Sequence, residues 1–335
     1  MSSLTVVVNE SILGSGVGGF ADTPMHSDEQ VFNCPALYFE AKSHILHPTA
    51  VGRACVLRGT LRSEPLESPD SVLLSRCILK VVYDINNDSP HARAANEAKF
   101  YEEANPHFLD VPLEQRPIPL FYGLFTGAQN SKWCFSGILL EDCGDPCKFE
   151  PTPEDSIEAR RACLQRKQQA ALALFKIHRV TKMTAFSDED GEVDLNHVLM
   201  CTNSEVQAAG TPPRLVWVSF AYWEPHPNSE CMDYSDRHIF TPLNWKPRVE
   251  EFRCYELYRF CSEVELYTPY TGIYMGKTIS FKNITCPADI VRIHASDIPN
   301  QAYCLRCAEE LWDSWEGRWR NIAMKLDRII PMPEL

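Results

Sequence analysis

Residues 73–84 read LLSRCILKVVYD. Leucine, isoleucine and valine fill the run on both sides of Lys80, and a short apolar run bounded by polar loops marks a β-strand. A lysine inside such a strand is either an edge residue in water or a buried amine with an anionic partner. The next segment supplies that partner. SPHARAANEAKFYEEA, residues 89–104, reads as a helix with Ser89 at the N-cap and Pro90 at the first helical position. Ala94, Ala98 and Tyr101 recur at helical spacing, and Glu97 lies beside that stripe, so it can turn inward toward Lys80.

Upstream, VGRACVLRGTL (51–61) reads as a second strand, joined to the first by the acidic, proline-containing loop SEPLESPDS. Residues 1–46 carry Gly14, Gly16, Gly18 and Gly19 without a sustained period. GSGVGG has no clear strand before it and no apolar helix after it, so it is a poor phosphate loop. The reading for 1–46 is an N-terminal extension.

Downstream, LFTGAQNSKWCFSGILLEDCG (124–144) reads as a hairpin with a polar exit. Thr152, Pro153 and Asp155 look like a helix start, with the threonine as cap and the acid near the positive end. That helix should run to about His178, with Leu164, Ala171, Phe175 and His178 on one stripe; His178 reads as a packed core histidine. PPRLVWVSFAYWEP (212–225) is strand-like, and CYELYRFCSEVELY and CLRCAEELWDSWEGRWRNIAMKL are helical. Strands first and helices later, without a fixed repeat, predict an α+β architecture with a β-rich lobe followed by an α-rich lobe.

At 335 residues the chain exceeds the roughly 250–300 residues at which single cores stop growing. Its 44% hydrophobic and 23% charged residues are ordinary for a folded protein. A net charge of −13 repels phosphate backbones, and no basic run offsets it, so nucleic acid is excluded as a partner. No leader-like start and no long apolar span occurs, which leads to the expectation of a cytoplasmic protein that does not engage membranes. The 14 cysteines are scattered rather than regularly spaced, as buried thiols would be. Cys304 and Cys307 form a single CxxC without a second pair, better read as packed helical cysteines than as a zinc site.

DGEVDLNHVLM, residues 190–200, places three carboxylates and an imidazole directly before an apolar run, as a catalytic loop would. Taken with the order of strand, in-strand Lys80, helix with Glu97, LLEDCG, long helix and paired strands, the chain resembles the protein-kinase fold. More narrowly, VLRGTL, CILKVVYD, NEAKFYEEA, YGLF, LLEDCG, ALALFKIH, CYELYRFCSEVELYTP and GKTISFKNITCP are similar to the divergent kinase-like proteins of mushroom-forming fungi. The resemblance covers about residues 47–325.

It implies a two-lobed kinase-like fold, with an extension over 1–46, an N-lobe and hinge over 47–144 and a C-lobe over 145–335. It also implies nucleotide contacts at Gly52, Val56, Lys80, Glu97, Glu141 and Cys143. In the family the catalytic loop runs H-x-D-x-x-x-x-N before an apolar strand. Anchored on Val198 and Leu199, that pattern places Glu192 at the aspartate and His197 at the asparagine. No Asp followed five residues later by Asn occurs downstream of Lys80.

The family's metal-binding aspartate should follow PRL by one apolar residue, and Trp217 stands there. An indole and an imidazole at the two ligand positions remove the Mg²⁺ site as the family builds it. Glu192 keeps a carboxylate one methylene further out, and a displacement of about 1 Å can cost on the order of 100-fold in rate. The expectation is therefore a pseudokinase that binds a protein partner or scaffolds, with no resident cofactor, no metal, and ATP bound weakly or not at all. The alternative is an atypical ATP-dependent phosphotransferase in which Glu192 works with a metal displaced onto Asp188, Asp190 or Asp194, a cluster that reads more simply as a solvated acidic loop.

Overall fold

The computed structural model describes residues 2–7, 25–27, 36–46, 54–64, 73–84, 89–130, 133–150, 156–185, 193–201, 213–226, 240, 242, 246–247, 252, 254–267, 271–281 and 284–315. The class is α+β, as the sequence predicts. The chain divides into two compact units, one of residues 1–147 and 176–227, the other of 148–175 and 228–335. This differs from a single division at 144/145, because the first unit also takes the chain from Lys176 to Pro227.

Seven strands of the first unit close into a barrel: β1 (Ser2–Val7), β2 (Met25–Ser27), β3 (Ala36–Leu46), β4 (Ala54–Arg62), β5 (Leu73–Asp84), β6 (Phe121–Asn130) and β7 (Trp133–Glu141). Their order is β1-β2-β6-β7-β5-β4-β3, with β1 parallel to β3 and every other pair antiparallel. The extension expected over residues 1–46 is thus corrected: its three described strands complete the barrel, and closure leaves no unpaired edge.

Side chains alternate across each strand. Cys55, Leu57 and Leu61 of β4, with Cys77, Leu79 and Val81 of β5, form the barrel core together with Leu4, Val6, Met25, Leu37, Phe39, Phe125 and Leu139. Gly59 is required where β3 and β4 meet, since a Cβ there would lie 2.3 Å from the Glu40 carbonyl oxygen. The same alternation turns Val56, Arg58, Ile78 and Lys80 to the outside, in register as Val56 opposite Lys80 and Arg58 opposite Ile78.

Helix α1 (Ser89–Ala104) packs on β5, β6 and β7 through Ala94, Ala98 and Tyr101, the stripe read from sequence. Beyond β7, β8 (Asp145–Pro146), β9 (Val198–Cys201) and β10 (Arg214–Trp217) form a small sheet in the order β10-β9-β8. Helix α2 (Ile157–Thr181) begins later than expected. The Ser156 hydroxyl accepts the Ala159 amide at 3.2 Å and caps it, while Thr152, Pro153 and Asp155 lie outside the described residues. Leu164, Ala171, Phe175 and His178 are buried along it as predicted.

In the second unit, α3 (Tyr255–Glu263) buries Leu257, Phe260 and Cys261, and the Phe260 ring meets Phe149 edge to face at 6.1 Å. The hairpin of β11 (Thr271–Tyr274) and β12 (Lys277–Ser280) turns through Met275 and Gly276, both at positive φ, as a two-residue hairpin loop requires. It shares a core with α4 (Pro287–His294) and α5 (Gln301–Trp315). Cys304 is fully buried in that core and Cys307 packs against it. Both cysteines thus pack in or against an apolar core. No helix among the described residues is long and apolar enough to cross a membrane.

Phe39 tests the integration of the first strands. Phe39→Ala should lower stability by about 3–5 kcal/mol, the usual cost of emptying a buried phenylalanine site, measured by chemical denaturation. A change within ~0.5 kcal/mol, the range of ordinary surface substitutions, would contradict the barrel assignment.

Candidate functional site

Every described residue of the site lies in the first unit. The Lys80 Nζ reaches Glu97 Oε2 at 2.5 Å. The glutamate side chain is 2% exposed and the lysine 23% exposed, so the carboxylate is withdrawn from water while the amine keeps one side open. The pairing follows from the two periodicities: the outward parity of β5 presents Lys80, and the inner stripe of α1 presents Glu97. A charge-assisted bond of this kind offsets the desolvation that would otherwise oppose burying the carboxylate.

His197 closes a short 3₁₀ turn, Leu195–His197, capped by Asp194. The Asp194 carboxylate accepts the Asn196 amide at 2.9 Å, and His197 Nε2 lies 3.5 Å from the same carboxylate. Burial holds the His197 imidazole below its ordinary pKa, opposed by Asp194; Lys80 pushes it down further and Glu97 pulls it back. The Lys80–Glu97 pair thus acts electrostatically on the imidazole.

Trp217 stands beside it on β10, paired with Val198, the residue after His197. Its ring is fully buried, its amide donates to Pro117 O at 2.8 Å, and the next amide, of Val218, donates to His197 O at 2.9 Å. Tryptophan thus occupies a strand position next to the loop where the resemblance implies a carboxylate. Val56 lies half-buried on the strand opposite Lys80. Gly52, Glu192, Asp188 and Asp190 lie outside the described residues. Among those described, Asp194 does not join two further ligands within reach of one ion.

The segment after Trp217 folds back on α1. Phe220 stacks on Phe100 at 3.8 Å between centroids, Trp223 Nε1 donates to Asn96 O at 2.7 Å, and Asn96 Nδ2 donates to Ala221 O at 2.8 Å. Ser219 takes a positive φ of 70° at the bend that makes this possible. Residues 220–223 thereby clamp the helix that carries Glu97.

Two arginines that the sequence reading passed over organise the LLEDCG segment. Arg214 holds Glu141 through Nη1 at 2.6 Å and Nη2 at 3.2 Å, and donates to Arg116 O and Ile118 O, each at 2.9 Å. Glu141 also accepts the Leu120 amide at 3.0 Å. Arg58, from the outer face of β4, donates to Gly144 O at 2.7 Å and to the Asp145 carboxylate at 2.9 Å, and its Nε lies 3.0 Å from Asp142 Oδ2. The segment's own amides are engaged too: Glu141 on Leu120 O, Asp142 on Arg76 O and Gly144 on the Asp142 carboxylate. Glu141 is the anchor of Arg214, and Cys143 is fully buried.

No family model and no curated protein matches the chain. A solved structure, that of vaccinia related kinase 3, is similar to it at 15% identity with a TM-score of 0.35. The similarity covers 56% of this chain and 48% of that one, so the chain spans about half the length of that structure.

Arg214→Leu should cost about 3–5 kcal/mol, because it leaves the Glu141 carboxylate without its counter-charge in a largely buried place. The pair variant Arg214→Leu with Glu141→Leu should recover part of that loss. Equal stability of the single variant and the wild type, read by denaturant midpoints, would show that the ion pair does not organise the segment.

Proposed function

We propose that the chain is a kinase-like protein of the divergent fungal type that has lost phosphotransfer and acts in the cytoplasm by binding a protein partner. The observation that carries the reading is the fully buried Trp217, paired with Val198, the residue after His197. Magnesium takes hard oxygen ligands in near-octahedral order. An indole donates none, and a neutral imidazole is a softer ligand that suits other metals. Without the ion, the charge of a triphosphate meets one amine already paired with Glu97, in a chain whose net charge is −13.

The Arg58 and Arg214 networks support the same reading from the base side. The Glu141 carboxylate is held by Arg214 and the Cys143 side chain is fully buried, so neither offers its side chain freely to a ligand. The fold is kept and the polar groups at the nucleotide positions serve the fold. A surface shaped in this way can present a fixed face to another protein, with Lys80–Glu97 and the 220–223 clamp holding α1 in one position.

Ligand binding to the native state raises the melting temperature in proportion to RT ln(1 + [L]/Kd). Melting the protein with ATP alone, and with ATP plus Mg²⁺ or Mn²⁺, should show no metal-dependent rise, and radiolabelled ATP should give no sustained transfer. A metal-dependent rise, or transfer that disappears in Glu192→Ala, would overturn the proposal.

A further inference from the structure

Of the eleven free cysteines that can be described, most are buried. Two of them act on each other. The Cys143 thiol, fully buried after β7, is in hydrogen-bond contact with the sulfur of Cys201, which ends β9 and is half-exposed. The backbone brings them together. β8 pairs with β9 as Asp145 opposite Met200, and Gly144 takes a φ of 88° so close to β9 that a Cβ there would lie 2.3 Å from Met200 O and 3.4 Å from Cys201 Cα. Arg214, opposite Cys201 on β10, adds a positive field at both sulfurs.

We propose that Cys143 and Cys201 are a peroxide-sensitive dithiol, which oxidation converts to a disulfide linking the segment after β7 to the end of β9. The roles divide by environment. The hydrogen bond donated by Cys143, with help from Arg214, draws the Cys201 thiol below its ordinary pKa, whereas burial pushes Cys143 up. Thiolate character and access together select the reacting sulfur, and both favour Cys201.

The Cys201 thiolate attacks one oxygen of hydrogen peroxide, breaking the O–O bond; the departing hydroxide takes the thiol's proton and leaves as water, and Cys201 becomes a sulfenic acid. The Cys143 sulfur then attacks the sulfenic sulfur, forming the S–S bond and releasing a second water that carries the Cys143 proton. Two thiols have lost two electrons and two protons to one peroxide, which ends as two waters. The product is reversible by a dithiol reductant through exchange.

The test treats the folded full-length chain with hydrogen peroxide, blocks the remaining thiols with N-ethylmaleimide, and maps peptides without reduction. The expected product joins the peptide 133–148 to the peptide carrying Cys201, with fragmentation placing the bond at Cys143 rather than Cys134 or Cys147. It should revert with dithiothreitol and form at least several-fold less when peroxide is added in urea. Cys201→Ser should abolish it and leave Cys143 alkylated; Cys143→Ser should leave Cys201 as a sulfenic acid trapped by dimedone, with circular dichroism showing that both variants fold. Oxidation of Cys201 with Cys143 still reduced in the wild type, a bond at Cys147 instead, or equal yield in urea would overturn the proposal.

Discussion

The contact on which the first unit depends is the ion pair between Lys80 and Glu97. Burying a carboxylate this deeply without a close partner is costly, and breaking such a pair costs more than forming it gains. Satisfying it sets two constraints at once: β5 must present Lys80 on the outside of the barrel, and α1 must turn its Glu97 face inward. Once α1 is seated, Asn96 and Phe100 are placed to receive Trp223, Ala221 and Phe220, so the chain beyond β10 inherits its path from the same contact.

Around that pair, two arginines tie together segments of the first unit that are far apart in sequence. Arg214 binds the Glu141 carboxylate with both terminal nitrogens, and Arg58 spans from β4 to Gly144 and Asp145. Trp217 adds a fully buried ring, and an aromatic ring removed from water is among the largest single contributions to a core. The Cys143–Cys201 contact lies at the junction of both networks, which is why its electrostatics answer to Arg214 and Glu141 together.

How far the sequence could be read depended on how local the cause was. LLSRCILKVVYD and SPHARAANEAKFYEEA coincide with β5 and α1, because dense apolar runs and a helical stripe are local signals. The Lys80–Glu97 pair was legible for the same reason. Strand β3 was missed although Leu37, Phe39 and Ala41 alternate with Tyr38, Glu40 and Lys42, the period-2 signal of a half-buried strand. β1 and β2 are short, and only pairing with distant strands defines them. Arg214 and Glu141 are 73 residues apart, and Arg58 and Gly144 are 86 apart, so no window of sequence could disclose either bond. The helix start moved from Thr152 to Ser156 because several residues there are good caps and only tertiary packing chooses between them.

The central claim is that Lys80 and Glu97 are retained as a structural tie. A double-mutant cycle on folding stability tests it most directly, using Lys80→Met, Glu97→Gln and the pair, with denaturant unfolding as the readout. Residues joined in one buried charge pair should show a coupling of about 1–3 kcal/mol, with the double variant more stable than the sum of the single losses implies. Losses that simply add, within ~0.5 kcal/mol, would contradict the account, because additivity is the behaviour of sites that do not depend on each other.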